Sequence, residues 1–285
     1  MTWTLTEDLD VFLGTAGPFL HARPAENTVF LTVTDTLRAA GLGMYGDLPP
    51  RFGWWRDGAG EVAAVWLRTP PWPVNVSRAP DEAVEALAAL LAAEGDAAPT
   101  EVFLPRPEDE AFARAWQAHA GRRPTVRHET RLYRLAELSP PQAPPAGRSR
   151  TATAADRALL IDWTHGFLRD VGDDVPGDRA VAALVDDRLS HQGVEVWEEA
   201  DGTPVAMAQL TRLVAGQARV ANVYTPPAHR GRGYASVLTA AVSGRARRAG
   251  AREVVLFTDL ANPTSNAIYQ RIGYRPVLDR VTLAL

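Results

Sequence analysis

VANVYTPPAHRGRGYASVLTAAVSGRARRAG, residues 220–250, is the stretch on which the reading of this chain turns. A strand-like run from Arg219 to Thr225 breaks at Pro226-Pro227. It passes through the turn His229-Arg230-Gly231-Arg232-Gly233 and enters a small-residue helix near Tyr234. Two glycines within three residues leave the backbone free of β-carbons. Several amide N–H groups can therefore converge on one anion at the positive end of the following helix. Arg230 and Arg232 add planar donors suited to phosphate oxygens. The turn is a candidate diphosphate cradle.

Two common phosphate loops fail on the residues. A P-loop ends in Gly-Lys-Ser/Thr, and the chain contains no lysine. A dinucleotide fingerprint needs G-x-G-x-x-G, whereas Gly231-Arg232-Gly233 is followed by Tyr-Ala-Ser-Val. What fits is R-x-x-G-x-A, here Arg230-Gly231-Arg232-Gly233-Tyr234-Ala235. This resembles the acetyl-CoA-binding signature of the GNAT superfamily of acyltransferases. Residues 257–276, FTDLANPTSNAIYQRIGYRP, are similar to the same family's strand, Asn-bearing turn, Tyr-bearing helix and closing Gly-Tyr-x-Pro turn.

The resemblance implies acetyl transfer from acetyl-CoA, as co-substrate, to an amine. It places a strand bulge in Asn222-Val223-Tyr224-Thr225, whose N–H would face the thioester oxygen. Backbone of Val223 and Thr225 would pair with the pantetheine arm. It makes Tyr269 the candidate acid for the leaving thiolate, and puts coenzyme contacts at Asn262 and Asn266. A side-chain amide there can bond pantetheine; equally, Asn262 or Thr264 can cap the helix. An ammonium acceptor needs a base, for which Glu195, Trp197, His165 and the acids Asp170, Asp173 and Asp174 are the alternatives, with Glu195 the tentative choice. Because the acidic loop lies between the two helices that wall the family's acceptor site, a cationic small-molecule acceptor is favoured.

Composition narrows the class. The chain has 285 residues, 46% hydrophobic and 22% charged, which suits a soluble globular protein of two domains. Net charge is −4, with 13 Arg against 19 acids in residues 1–147 and 17 against 15 in residues 148–285. That argues against a nucleic-acid binder relying on a basic field. Cysteine is absent, and the six histidines include no i, i+4 pair, so no metal site is expected. No leader-like opening and no eighteen-residue apolar run is seen, giving a cytoplasmic expectation with no membrane partner.

Periodicity predicts helices over 7–20, 27–40, 81–94, 108–119, 154–170, 178–191 and 264–272, with strands between them. SPPQAPPAG, 139–147, reads as a proline-rich linker. Setting Gly121-Arg122-Arg123-Pro124 on Gly273-Tyr274-Arg275-Pro276 also aligns Glu101–Leu104 with Glu253–Leu256, an internal duplication. The first copy has no R-x-x-G-x-A, and Gln117 stands where Tyr269 does. The expectation is a mixed α/β fold of two tandem GNAT-like domains, each a mostly antiparallel sheet flanked by helices. Its parts are a degenerate copy (1–138), a linker (139–147) and a catalytic N-acetyltransferase domain (148–285). A non-catalytic acyl-CoA-binding protein, or transfer of a longer acyl group, are the alternatives.

Overall fold

A computed structural model describes residues 2–172 and 177–285, so Asp173 and Asp174 lie outside the described residues. The chain forms two compact units: residues 1–132 with 277–285, and residues 133–276.

The first unit runs β1 (Trp3–Thr6), α1 (Leu9–Ala22), α2 (Thr28–Ala40), β2 (Arg51–Arg56), β3 (Val62–Arg68), β4 (Val74–Val76), α3 (Asp81–Ala92), β5 (Glu101–Pro105), α4 (Glu108–Ala120) and β6 (Thr125–Leu135). Strands β1 to β4 pair antiparallel in sequence, then β4 pairs parallel with β5. Alternation buries one face under α3 and α4, where Trp66, Leu87, Phe112 and Trp116 form the core. On α1, Asp8 caps the first turn by accepting from the Asp10 and Val11 amides, and Phe12 stacks on Phe52 at 4.9 Å.

The second unit repeats the order: β7 (Arg148–Thr151), α5 (Arg157–Val171), α6 (Asp178–Ser190), β8 (Val194–Glu198), β9 (Pro204–Leu210), β10 (Gln217–Tyr224), α7 (Tyr234–Arg248), β11 (Glu253–Asp259), α8 (Pro263–Arg271) and β12 (Tyr274–Ala284). Here β7 to β10 pair antiparallel and β10 pairs parallel with β11. Leu160, Val194, Val196 and Met207 pack on the α5 face, while Trp197, Leu238, Val242 and Leu256 pack on the α7 face. The matching element order, and the left-handed glycines Gly121 and Gly273 after α4 and α8, bear out the duplication.

The divisions differ from those expected at 138 and 148. The last nine residues belong to the first unit because β12 pairs with β5, Val281 opposite Leu104 and Leu283 opposite Val102. At the other boundary, Tyr133 and Leu135 are buried in the second unit's core. The proline-rich stretch is tied down at both ends rather than spanning a gap. The Ser139 amide donates to the Ile272 carbonyl at 3.0 Å, and the Trp197 indole donates to the Ala146 carbonyl at 3.3 Å. Two strands escaped the sequence reading, β1 and the three-residue β4, because both are too short to show a period.

Candidate active site in the second unit

Strand β10 bends where it leaves β9. Ala221 lies opposite Gln209 and Tyr224 opposite Met207, so two residues face one, a β-bulge. Asn222 takes φ 44°, the left-handed conformation that asparagine tolerates better than most residues. The bulge falls inside the segment where the family resemblance puts it. On its other side β10 also leaves β11. The parallel ladder stops at Val220–Leu256, although β10 continues to Tyr224 and β11 to Asp259. The sheet therefore splays, leaving a stretch of strand backbone on each side of the gap.

The turn at the head of α7 follows. Gly231 and Gly233 have φ 78° and 85°, and a β-carbon at either would meet nothing within 4 Å. Gly233 is the N-cap, and no side chain caps the helix. No side-chain acceptor is supplied to the first-turn amides at the positive end of this fifteen-residue helix. The Thr225 hydroxyl and the His229 Nδ1 beside this turn are buried without hydrogen-bond partners among the described residues. An open, uncapped turn with orphaned polar atoms next to it fits a diphosphate-bearing ligand.

Both loop arginines already hold acids. Arg230 donates from Nε to the Thr225 carbonyl at 2.9 Å, pairs with Asp170 at the end of α5, and lies 5.9 Å over the Tyr224 ring. Arg232 reaches Glu199 at 3.4 Å, and the buried Tyr234 donates its hydroxyl to the same carboxylate. That hydrogen bond, with burial second, raises the Tyr234 pKa. Ala235 completes the motif in the first turn. Tyr224 packs against α5, its ring 6.4 Å from that of Trp163, and a β-carbon at Gly166 would lie 2.4 Å from its hydroxyl.

Tyr269 projects from α8 into the core, edge-on to Tyr274 at 6.2 Å. Burial pushes its phenol up to about 12. Tyr274 exchanges a hydrogen bond with the Ser243 hydroxyl at 2.7 Å, and burial raises its phenol further still.

Asn262 takes the capping alternative, and Asn266 and Glu195 are engaged within the fold. Asn262 is the N-cap of α8 and accepts from the Ser265 amide at 3.0 Å. The Asn266 amide is fully engaged within the fold. It donates to the Asp259 and Asn262 carbonyls, each at 2.8 Å, and accepts from the Tyr133 hydroxyl at 2.9 Å. Glu195 is buried, accepts from Ser149 at 2.7 Å and Thr151 at 2.8 Å, and pairs with Arg245 at 3.0 Å. Arg245 lies near the far end of α7, roughly 18 Å along the helix from Gly233 at 1.5 Å per residue. Glu195 thus anchors β8 to α7 and is closed to an acceptor. Trp197 packs on the same α7 face, and His165 pairs with Asp178 of α6 at 3.3 Å. Glu199 and Tyr133 were not foreseen, because neither lies within a motif and both act through partners remote in sequence.

Among the described residues of the first unit there is no such turn. Its β4 is three residues long, and α3 opens with Asp81 and Glu82 where an anion would bind. Gln117 is exposed on α4.

Residues 158–274 match the sequence profile of the acetyltransferase (GNAT) family. No curated protein matches the chain. Among solved structures it resembles a GCN5-related N-acetyltransferase from Sphaerobacter thermophilus, at 18% identity over 99% of this chain and 94% of that one, with TM-score 0.64. A Drosophila protein matches at 15% identity over 99% and 98%, TM-score 0.67. A tandem GNAT protein from the clavulanic acid biosynthesis pathway matches at 13% identity over 99% and 98%, TM-score 0.61. At these identities the structures show the fold, a tandem one, and the family match is confined to residues 158–274.

Proposed function

We propose that the protein is an acetyl-CoA-dependent N-acetyltransferase that acts, in its second unit, on a primary amine of a small molecule. The observation that carries this reading is the splay of β10 from β11 beyond Val220, opening beside the uncapped turn Arg230–Ala235. In this reading the turn amides of Gly231 to Ala235 and the two arginines hold the diphosphate. The freed β10 backbone at Val223 and Thr225 pairs with the amides of the pantetheine arm as an added strand would. An N–H of the bulge, preset by the left-handed Asn222, stabilises the oxygen of the thioester carbonyl as the amine attacks.

Tyr269 serves the departing sulfur. A phenol at about 12 keeps its proton at every working pH. It therefore acts first as a hydrogen-bond donor to the developing thiolate and gives up its proton only as the C–S bond breaks. Asp170, at the end of the α5 wall and paired with Arg230, supplies negative charge that favours a cationic acceptor. Coenzyme chemistry is confined to the second unit, because acids occupy the start of α3 in the first.

Calorimetry on the intact protein tests the coenzyme site. Wild type should bind one acetyl-CoA per chain, and Gly233→Glu, which places a carboxylate in the turn, should bind none. Thiol release with a panel of primary amines then tests transfer. A wild type that does not bind acetyl-CoA overturns the reading; one that binds it and acetylates no amine is an acyl-CoA-binding protein.

A further inference from the structure

The Tyr133 side chain is fully buried, and its hydroxyl touches α8 twice. Asn266 donates its amide N–H groups to two carbonyls, of Asp259 and Asn262. Carbonyls cannot donate, so the side-chain oxygen of Asn266 must face Tyr133 and accept from it. The Tyr133 oxygen in turn accepts from the Gln270 side-chain amide at 3.1 Å. One directed chain therefore runs from Gln270 through Tyr133 and Asn266 to the end of β11 and the cap of α8. Each bond polarises the next.

Asn266 and Gln270 are four residues apart and share one helix face. Tyr269 precedes Gln270 by one residue, about 100° around the axis, so whatever fixes the rotation of α8 also aims the Tyr269 phenol. We propose that Tyr133 is a positioning residue for Tyr269, a clamp on the roll of α8, and this rests on the reading that Tyr269 serves acyl transfer. Residue 133 lies near the end of β6, in the part of that strand that belongs to the second unit.

The test is a double-mutant cycle of Tyr133→Phe and Tyr269→Phe in the full chain, together with amide hydrogen exchange of residues 263–271. Tyr133→Phe keeps the ring in the core and removes only the hydroxyl. Its kcat for amine acetylation should fall about tenfold, short of the roughly hundredfold loss on removing a general acid. KM for acetyl-CoA should stay within about twofold, the pattern of a lost transition-state alignment. Added to Tyr269→Phe it should cause no further loss, since there is no phenol left to aim. Exchange in α8 should be faster in Tyr133→Phe, and Gln270→Met, which removes one bond of the clamp, should move both readouts the same way by less. Unchanged α8 exchange overturns the clamp whether or not any amine is acetylated. A Tyr133→Phe loss that multiplies in the Tyr269→Phe background overturns the aiming role. Absence of turnover in wild type, by contrast, strikes the proposed function and leaves the clamp to be decided by exchange.

Discussion

Tyr269 and the residues around it set what a single side chain can reveal here. The phenol is buried and pushed up to about 12 by loss of solvent. Tyr269→Phe should lower kcat about a hundredfold while leaving acetyl-CoA affinity within about threefold, checked by steady-state kinetics and calorimetry. Because the proton is held so tightly, the kcat–pH profile of wild type should show no alkaline inflection from this group below about pH 11, about one unit beneath its titration. The tyrosine was legible in sequence because its neighbours, Asn262 to Ile268, form a motif of adjacent residues. The roles first given to Glu195 and Asn266 were not legible. Glu195 is paired with Arg245, fifty residues later, and the Asn266 side-chain oxygen accepts from Tyr133, more than a hundred residues earlier. A sequence shows which groups are present; only the fold shows which are already occupied.

Among the elements, the glycine turn and the bulged strand could be read because each needs a backbone that few residue types accept. The left-handed φ angles of Gly231, Gly233 and Asn222 are the structural counterpart of that sequence signal. Gly233→Ala should cost about 1 kcal/mol of stability from the strained φ alone, since a methyl meets nothing there. A much larger loss in a thermal melt would show that the turn is packed. Elsewhere the helices and strands are tied by ion pairs that no period reveals. Arg150 of β7 holds Asp156 before α5 at 2.8 Å, and its hydrogen bonds keep that carboxyl near 2, below its usual 3.8. A folded value below the unfolded one means the contribution is complete above about pH 4 and is lost as pH falls through about 2. Asp156→Asn should therefore melt below wild type at pH 7, and the two should converge between pH 4 and 2. The Asp170–Arg230 pair is half exposed and worth less, about 0–1 kcal/mol. Asp170→Asn, by freeing Arg230, should tighten acetyl-CoA binding by no more than about fivefold.

On the scale of the whole molecule, the duplication was readable because Gly121 and Gly273 mark equivalent turns, yet the division between copies was not. Composition points to SPPQAPPAG as a spacer, but the stretch is fastened to the second unit by backbone bonds and by Gly273. A β-carbon at that glycine would lie 1.8 Å from the Glu137 carbonyl oxygen. The fold thus gives the second unit residues 133–147 and gives residues 277–285 to the first. A fragment of 148–285, cut where the sequence suggests, loses Tyr133 and Leu135 from its core, and its last residues lose β5, the strand opposite Val281 and Leu283. Those residues become an unpaired apolar edge, which favours aggregation. We expect this fragment to be insoluble or to melt well below the intact protein. A fragment of 133–276, carrying the complete core and no orphaned strand, should be monomeric, soluble and show a cooperative melt. If 148–285 proves as stable as 133–276, residues 133–147 are dispensable and the boundary belongs where composition places it. Gly273→Ala in the full chain gives the same answer without truncation. The backbone collision should cost at least about 3 kcal/mol if the segment is packed as described, and about 1 kcal/mol, the strain of φ alone, if it can move aside.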